Sequence, residues 1–253
     1  MIPRWGLVER FDTTDFEQQL APRPGPSLAA LRATLIATMA VLGVAALVHL
    51  VRYVLLIVNR TTLLNPVVAW VATWLGVLVS VAAMFMVFAS AVMMTNWLIA
   101  RRGAAFRHVG RRDHRPPGAL RAGCLVPVVN LFWAPVYVLE LAAVEDRMAR
   151  LRRPIVVWWF AFVLSTAISI FSIATSFTTD AQGIADNTVT TTVAYLFALA
   201  ALLLAARVLL GFERTPVERP ASRWVMVAAE EPEAEAEHES GVPVESKGQN
   251  PAA

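Results

Sequence analysis

From Ala33 to Val58 the chain carries ionisable side chains well inside an otherwise apolar run only at His49 and Arg52. About 20 residues at 1.5 Å each cross the hydrocarbon of a bilayer, so a run of this length reads as a membrane-spanning helix with length to spare. Three further runs, at about 66–100, 154–178 and 190–211, read the same way. The expected fold is therefore all-α and polytopic, with spans at about 33–58, 66–100, 154–178 and 190–211. Composition agrees: 57% of residues are hydrophobic and 16% charged, against about 25% charged in an ordinary soluble domain.

The polar remainder separates into ends and connections. Residues 1–27 carry Glu9, Asp12, Asp15 and Glu17, close with Pro22, Pro24 and Pro26, and lack the apolar core of a signal peptide. They read as an N-terminal arm. Asn65-Pro66 is a helix start, an N-cap residue followed by proline at the first helical position. Ser176 to Thr192 reads as a polar, Thr-rich connection. From residue 213 the chain is rich in Pro, Glu and Ala, and seven of the 19 acidic residues fall between Glu230 and Glu245. That segment, 213–253, is expected to be a disordered acidic tail.

Arginine sets the expected orientation. Eleven arginines, from Arg101 and Arg102 to Arg152 and Arg153, stand between the second and third spans, whereas the two opposite connections hold only Arg60. The positive-inside rule then places this central region and both termini in the cytoplasm of a plasma-membrane protein. Clustering of basic residues beside apolar runs argues for the bilayer as partner rather than nucleic acid. Arg101, Arg102, Arg107, Arg111 and Arg112 are the expected contacts to anionic headgroups, each attracted by about 1 kcal/mol near such a surface.

One segment departs from the pattern. Residues 119–150 contain an apolar stretch from Cys124 to Leu139 interrupted by Pro127, Asn130 and Pro135, with basic residues on both flanks. Matching flanks mean that it should not cross. It reads as a broken re-entrant or interfacial helix, entering from the cytoplasmic side and turning near Asn130. The carbonyls that proline frees need partners, and Asn130 is the expected one for Pro135. Glu140 is expected to pair with Arg147 or Arg121. Trp133 and Tyr137, four apart, would seat the segment at headgroup level.

Trp97-Leu98, Arg101-Arg102, Val126-Pro127-Val128-Val129-Asn130-Leu131, Pro135 and Trp158-Trp159 together resemble an actinobacterial membrane family, domain of unknown function 4328. The resemblance covers roughly residues 30–212. It implies the architecture and a common use for the Pro-Asn-Pro segment, and no activity.

Candidate chemistry is sparse. His49 and Arg52 share a helix face at i, i+3; they read as a snorkelling pair or as part of an outer polar site with Asn65, Asp180 or Asp186. Asn130 and Glu140 read as structural or as a site beside the broken helix. His108, Asp113, His114 and Cys124 match no common zinc spacing and sit among arginines, so no metal or other cofactor is expected. No nucleophile elbow, HExxH or phosphate loop is present. The leading expectation is a non-enzymatic scaffold or partner subunit of a membrane assembly, with a membrane protein or a second copy as partner. The alternative is a small transporter or channel-like protein with its site around Pro127–Pro135.

Overall fold

The structure, a computed structural model, describes residues 25–214. Nearly all of the N-terminal arm and of the acidic tail lies outside the described residues. Among the described residues six helices follow in order: α1 (Leu28–Val58), α2 (Pro66–His108), α3 (Pro117–Leu125), α4 (Val129–Val144), α5 (Met148–Thr175) and α6 (Ala181–Glu213). Four of these, α1, α2, α5 and α6, are long and apolar enough to cross a membrane, and α4 is a shorter apolar helix between the second and third of them. No strand occurs among the described residues. The fold is thus an all-α, four-span architecture with a broken segment inserted in its middle.

Several helix limits differ from those the apolar runs gave, each for a local reason. α1 starts at Leu28 because the Ser27 hydroxyl accepts from Ala30 N–H at 3.2 Å. α2 starts as expected, with Asn65 accepting from Val67 N–H at 2.9 Å ahead of Pro66. It runs on to His108 because Arg102, Ala105 and Phe106 are buried beyond the apolar run. α5 starts at Met148 and carries Pro154 inside it; both Pro154 and Arg150 are exposed, so water can take up the carbonyl that proline frees.

The largest difference is at α6. The Thr-rich stretch expected to be a connection is helical from Ala181, capped by Asp180, which accepts from Gly183 N–H at 2.8 Å. Thr188, Thr190, Thr191 and Thr192 each donate to the carbonyl four residues back, at 2.8–2.9 Å. That back-bonding satisfies each hydroxyl within its own helix, so polar composition does not prevent the helix from forming.

α1 packs on α2 and on α6, and α6 packs on α5, while no extended contact joins α2 to α5. The four long helices form an arc in the order α2, α1, α6, α5. α3 and α4 make a hairpin that bridges the open side at one end, α3 against α2 and α4 against both α2 and α5. With lipid as apolar as leucine, close approach and interhelical hydrogen bonds hold such helices together. Thr38 and Ser90 hydroxyls meet at 2.7 Å between α1 and α2. Ser172 meets Thr191 at 2.7 Å between α5 and α6, and the Asn187 amide donates to the Ser172 carbonyl at 2.6 Å. Ala194, Ala201 and Ala205 are buried along α6, the last two of them four residues apart. The best-packed core lies at the hairpin end, where Leu31, Trp97, Leu120, Leu141, Leu151 and Phe212 are all buried.

Candidate functional site

The break in the middle segment falls at Val126–Val128, not at Asn130. Pro127 cannot continue a helix hydrogen-bond ladder, and Val128 takes a left-handed backbone, φ 68°. For a β-branched residue this is an outlier costing on the order of 1–3 kcal/mol. The hairpin closes tightly because Gly123 on α3 lies against the Tyr137 ring on α4, where a Cβ would overlap that ring. Pro135 does not break α4, which continues through it. The carbonyl it orphans is that of Leu131, four residues back. Trp159 on α5 donates its indole N–H to that oxygen at 2.8 Å. Trp159 therefore takes the role expected of Asn130, and it ties α4 to α5.

Beneath the hairpin lies an ionic layer. Arg102, with no exposed surface, places its guanidinium on both Asp113 oxygens at 3.0 and 3.1 Å, on the Tyr137 carbonyl at 3.0 Å and on Glu140 at 3.1 Å. Arg115 forms a two-oxygen pair with Glu140, its shortest contact 2.5 Å, and lies over the Trp133 and Tyr137 rings at 5.1 Å each. Arg101, the neighbour of Arg102, turns the other way. It grips Glu145 at 2.7 and 3.0 Å and donates to the Phe212 carbonyl at 2.7 Å, capping the end of α6 together with Arg147. Glu213 meets Arg32 at 2.6 Å and so joins the end of α6 to α1.

These contacts correct two sequence expectations. Glu140 pairs with Arg102 and Arg115, not with Arg147 or Arg121, because α4 faces the end of α2 and the loop after it. Arg102 has no surface to offer a headgroup, and Arg101 is largely enclosed by Glu145, Trp97 and Phe212. Arg107, Arg111 and Arg112 remain exposed. Tyr137 is buried under the guanidiniums rather than seated among headgroups, while Trp133 keeps an exposed face.

The layer makes stability depend on pH. Burial opposes ionisation of Asp113, but the Arg102 hydrogen bond and charge, with Arg115 N–H, outweigh it and hold the carboxyl below its ordinary range. Glu140 is likewise opposed by burial and held low by Arg115 and Arg102. Unfolded, the two groups titrate near about 3.9 and 4.3. Stability from depressed carboxyls is complete above those values and is lost as pH falls below them, through the lower folded values. The melting temperature of the purified protein is expected to be level from pH 7 to about 5 and to fall below about pH 4. Asp113→Asn should flatten part of that fall; an unchanged profile in this variant would exclude Asp113 as a source.

Above the layer, on the inner side of the hairpin, is a cavity of about 280 Å³. Every helix contributes: Leu42 from α1, Val87 to Leu98 from α2, Cys124 from α3, Asn130, Ala134 and Val138 from α4, Trp158, Phe162 and Ser165 from α5, and Ala198 to Ala205 from α6. Its polar atoms are few. Ser90 is used by Thr38, and Thr95 donates to the Ala91 carbonyl at 2.7 Å. Burial pushes the Cys124 thiol up to about 11, so it stays protonated and is no nucleophile. Asn130 and Ser165 carry no side-chain hydrogen bond among the described residues, and both face the cavity.

The outer candidates assemble only in part: the His49 ring and the Arg52 guanidinium converge at Gly76 on α2, as their shared helix face implies, without Asn65, Asp180 or Asp186. His49 is buried, its Nε2 3.2 Å from the Ser80 hydroxyl and its ring stacked on Tyr195 at 5.5 Å. Arg52 lines a separate apolar groove between α1 and α2. Asn65 and Asp180 are spent as helix caps, and Asp186 accepts from Gln182 at 2.8 Å. Sequence reasoning missed Asp113 and Arg115 as ion-pair partners and Trp159 as a carbonyl partner. The pairing of an orphaned carbonyl with a Trp on the next span was the one available signal.

The family model described as Domain of unknown function (DUF4328) matches residues 60–214. The chain belongs to this family. The match takes in α2 to α6, and so the ionic layer, the broken hairpin and most of the cavity wall; α1, included in the resemblance read from the sequence, precedes it. No curated protein and no solved structure matches the chain. In this DUF4328 chain Arg102, Pro127, Pro135 and Trp159, residues that carried the resemblance, build the hairpin and fix it to the spans, while Trp97 and Arg101 pack at the end of α6.

Proposed function

We propose that this DUF4328 protein is a small-molecule-binding membrane protein of carrier type, with its site in the cavity closed by the broken hairpin. The observation that carries this reading is the cavity itself: about 280 Å³, nearly twice the roughly 150 Å³ that suffices to take up benzene. The lining argues against ion conduction: among the described residues Asn130 and Ser165 are its only amide or hydroxyl side chains without an internal partner, Trp97 and Trp158 add only indole N–H donors, and these groups do not form a continuous path. It argues for an apolar ligand instead. A scaffold role finds less support, because lipid alone accounts for the exposed Trp70, Trp74, Phe85 and Phe88 on α2.

The chain sits in the plasma membrane with the hairpin end on the cytoplasmic side, and Arg107, Arg111 and Arg112 meet anionic headgroups there. Native mass spectrometry of the protein released from membranes tests the binding reading. The wild type is expected to retain small-molecule adducts that Ala201→Phe, which fills the cavity, lacks. Identical adducts in the two would contradict a ligand in this cavity.

A further inference from the structure

The cavity has a length, a side opening and one amide, and together these narrow its occupant. Its lining runs from Val87 to Leu98 on α2, about 16 Å of helix, and from Trp158 to Ser165 on α5 and Ala198 to Ala205 on α6, about 10 Å each. The space is long and apolar, suited to an extended chain. It opens where α2 and α5 fail to pack: Val87 lines the cavity and is also 45% exposed. The hairpin bridges those two helices only at one end.

Asn130 stands two residues past the hairpin tip, where that bridge stops. Its amide, both donor and acceptor, is unpartnered beside an apolar space. Asn130 is half-buried, so pairing its amide with a ligand is worth about one net hydrogen bond, about 0.5–1.5 kcal/mol, and the position favours a ligand that supplies a hydroxyl, ester or amide. No Arg, Lys, Asp, Glu or His side chain lines the cavity. A charged headgroup held at Asn130 would therefore be desolvated without compensation.

Resting on the reading above, we infer that the ligand is a neutral single-chain lipid, such as a fatty alcohol or monoacylglycerol. It enters sideways between α2 and α5, its polar group on Asn130 and its chain along Val87, Met94 and Phe162.

The test uses the full-length protein in phosphatidylcholine nanodiscs with three diazirine probes: a monoacylglycerol, a fatty acid and a compact aromatic. The neutral chain is expected to label Val87, Met94 or Phe162, to be competed by unlabelled monoacylglycerol, and to lose about fivefold of its labelling in Asn130→Leu, the worth of one hydrogen bond. Ala201→Phe should abolish cavity labelling, with Ala91→Leu as the second filling variant should the first fail to fold. Equal competed labelling by the fatty acid would overturn the neutral-headgroup assignment. Cavity labelling by the aromatic probe alone would overturn the chain assignment while leaving a ligand site in place. Labelling confined to outward residues such as Phe85 and Phe88, uncompeted for every probe, would overturn both.

Discussion

Arg102→Met is expected to lower the melting temperature of the purified protein by roughly 10 °C. Arg102 is fully buried and is the one side chain that touches Asp113, Glu140 and the Tyr137 carbonyl together. Removing one partner of a buried ion pair costs about 3–5 kcal/mol, because the remaining charges lose their compensation while still largely shielded from water. In a domain of this size each kcal/mol is worth about 2–4 °C. Glu140 keeps Arg115, and the Asp113 and Glu140 side chains are 17% and 26% exposed, so the lower end of the range applies. Arg107→Met removes an exposed arginine and should change stability by no more than about 0.5 kcal/mol. Combining Arg102→Met with Asp113→Leu should recover part of the loss by removing a stranded charge. A melting point for Arg102→Met within 2 °C of wild type, read by tryptophan fluorescence, would show that the layer does not hold the hairpin.

Trp159→Phe should cost about 1–3 kcal/mol, or roughly 3–10 °C, by stranding the Leu131 carbonyl. The specific signature is a double variant. Pro135→Ala restores an N–H at position 135 that can bond to the Leu131 carbonyl within α4, so Pro135→Ala should rescue Trp159→Phe. The two changes should couple by about 1 kcal/mol or more, as contacting groups do. Additive losses would mean that the 2.8 Å indole contact is not what satisfies that carbonyl.

The spans were legible because bilayer thickness imposes a length on apolar runs, and Asn65-Pro66 was legible because a cap with proline behind it has one local meaning. The start of α6 was not. Threonines look like loop until their hydroxyls are seen to bond one turn back. The broken segment was located by Pro127 and its flanking arginines, but the turn position depended on the Val128 backbone, which composition does not encode. The partners of Glu140 were hidden for a different reason. Eleven arginines flank the segment, and the choice of Arg102 and Arg115 follows from α2 continuing eight residues past its apolar run. Asn130 was picked out as a polar residue in an apolar segment. Its position in a cavity wall, rather than on an orphaned carbonyl, needed the packing of all six helices.

The central claim is that the α3–α4 hairpin enters and leaves on one side, closing the cavity between four spans. Cys124 is the sole cysteine, so single cysteines in a Cys124→Ala background report sidedness directly. The decisive measurement is labelling of Thr62→Cys, Arg112→Cys, Ala149→Cys and Thr179→Cys by a membrane-impermeant maleimide in intact cells, all four positions being exposed. Positions 62 and 179 are expected to label in intact cells, and 112 and 149 only after permeabilisation. Labelling of 112 and 149 from opposite sides would mean that the segment crosses the membrane, and would contradict the account.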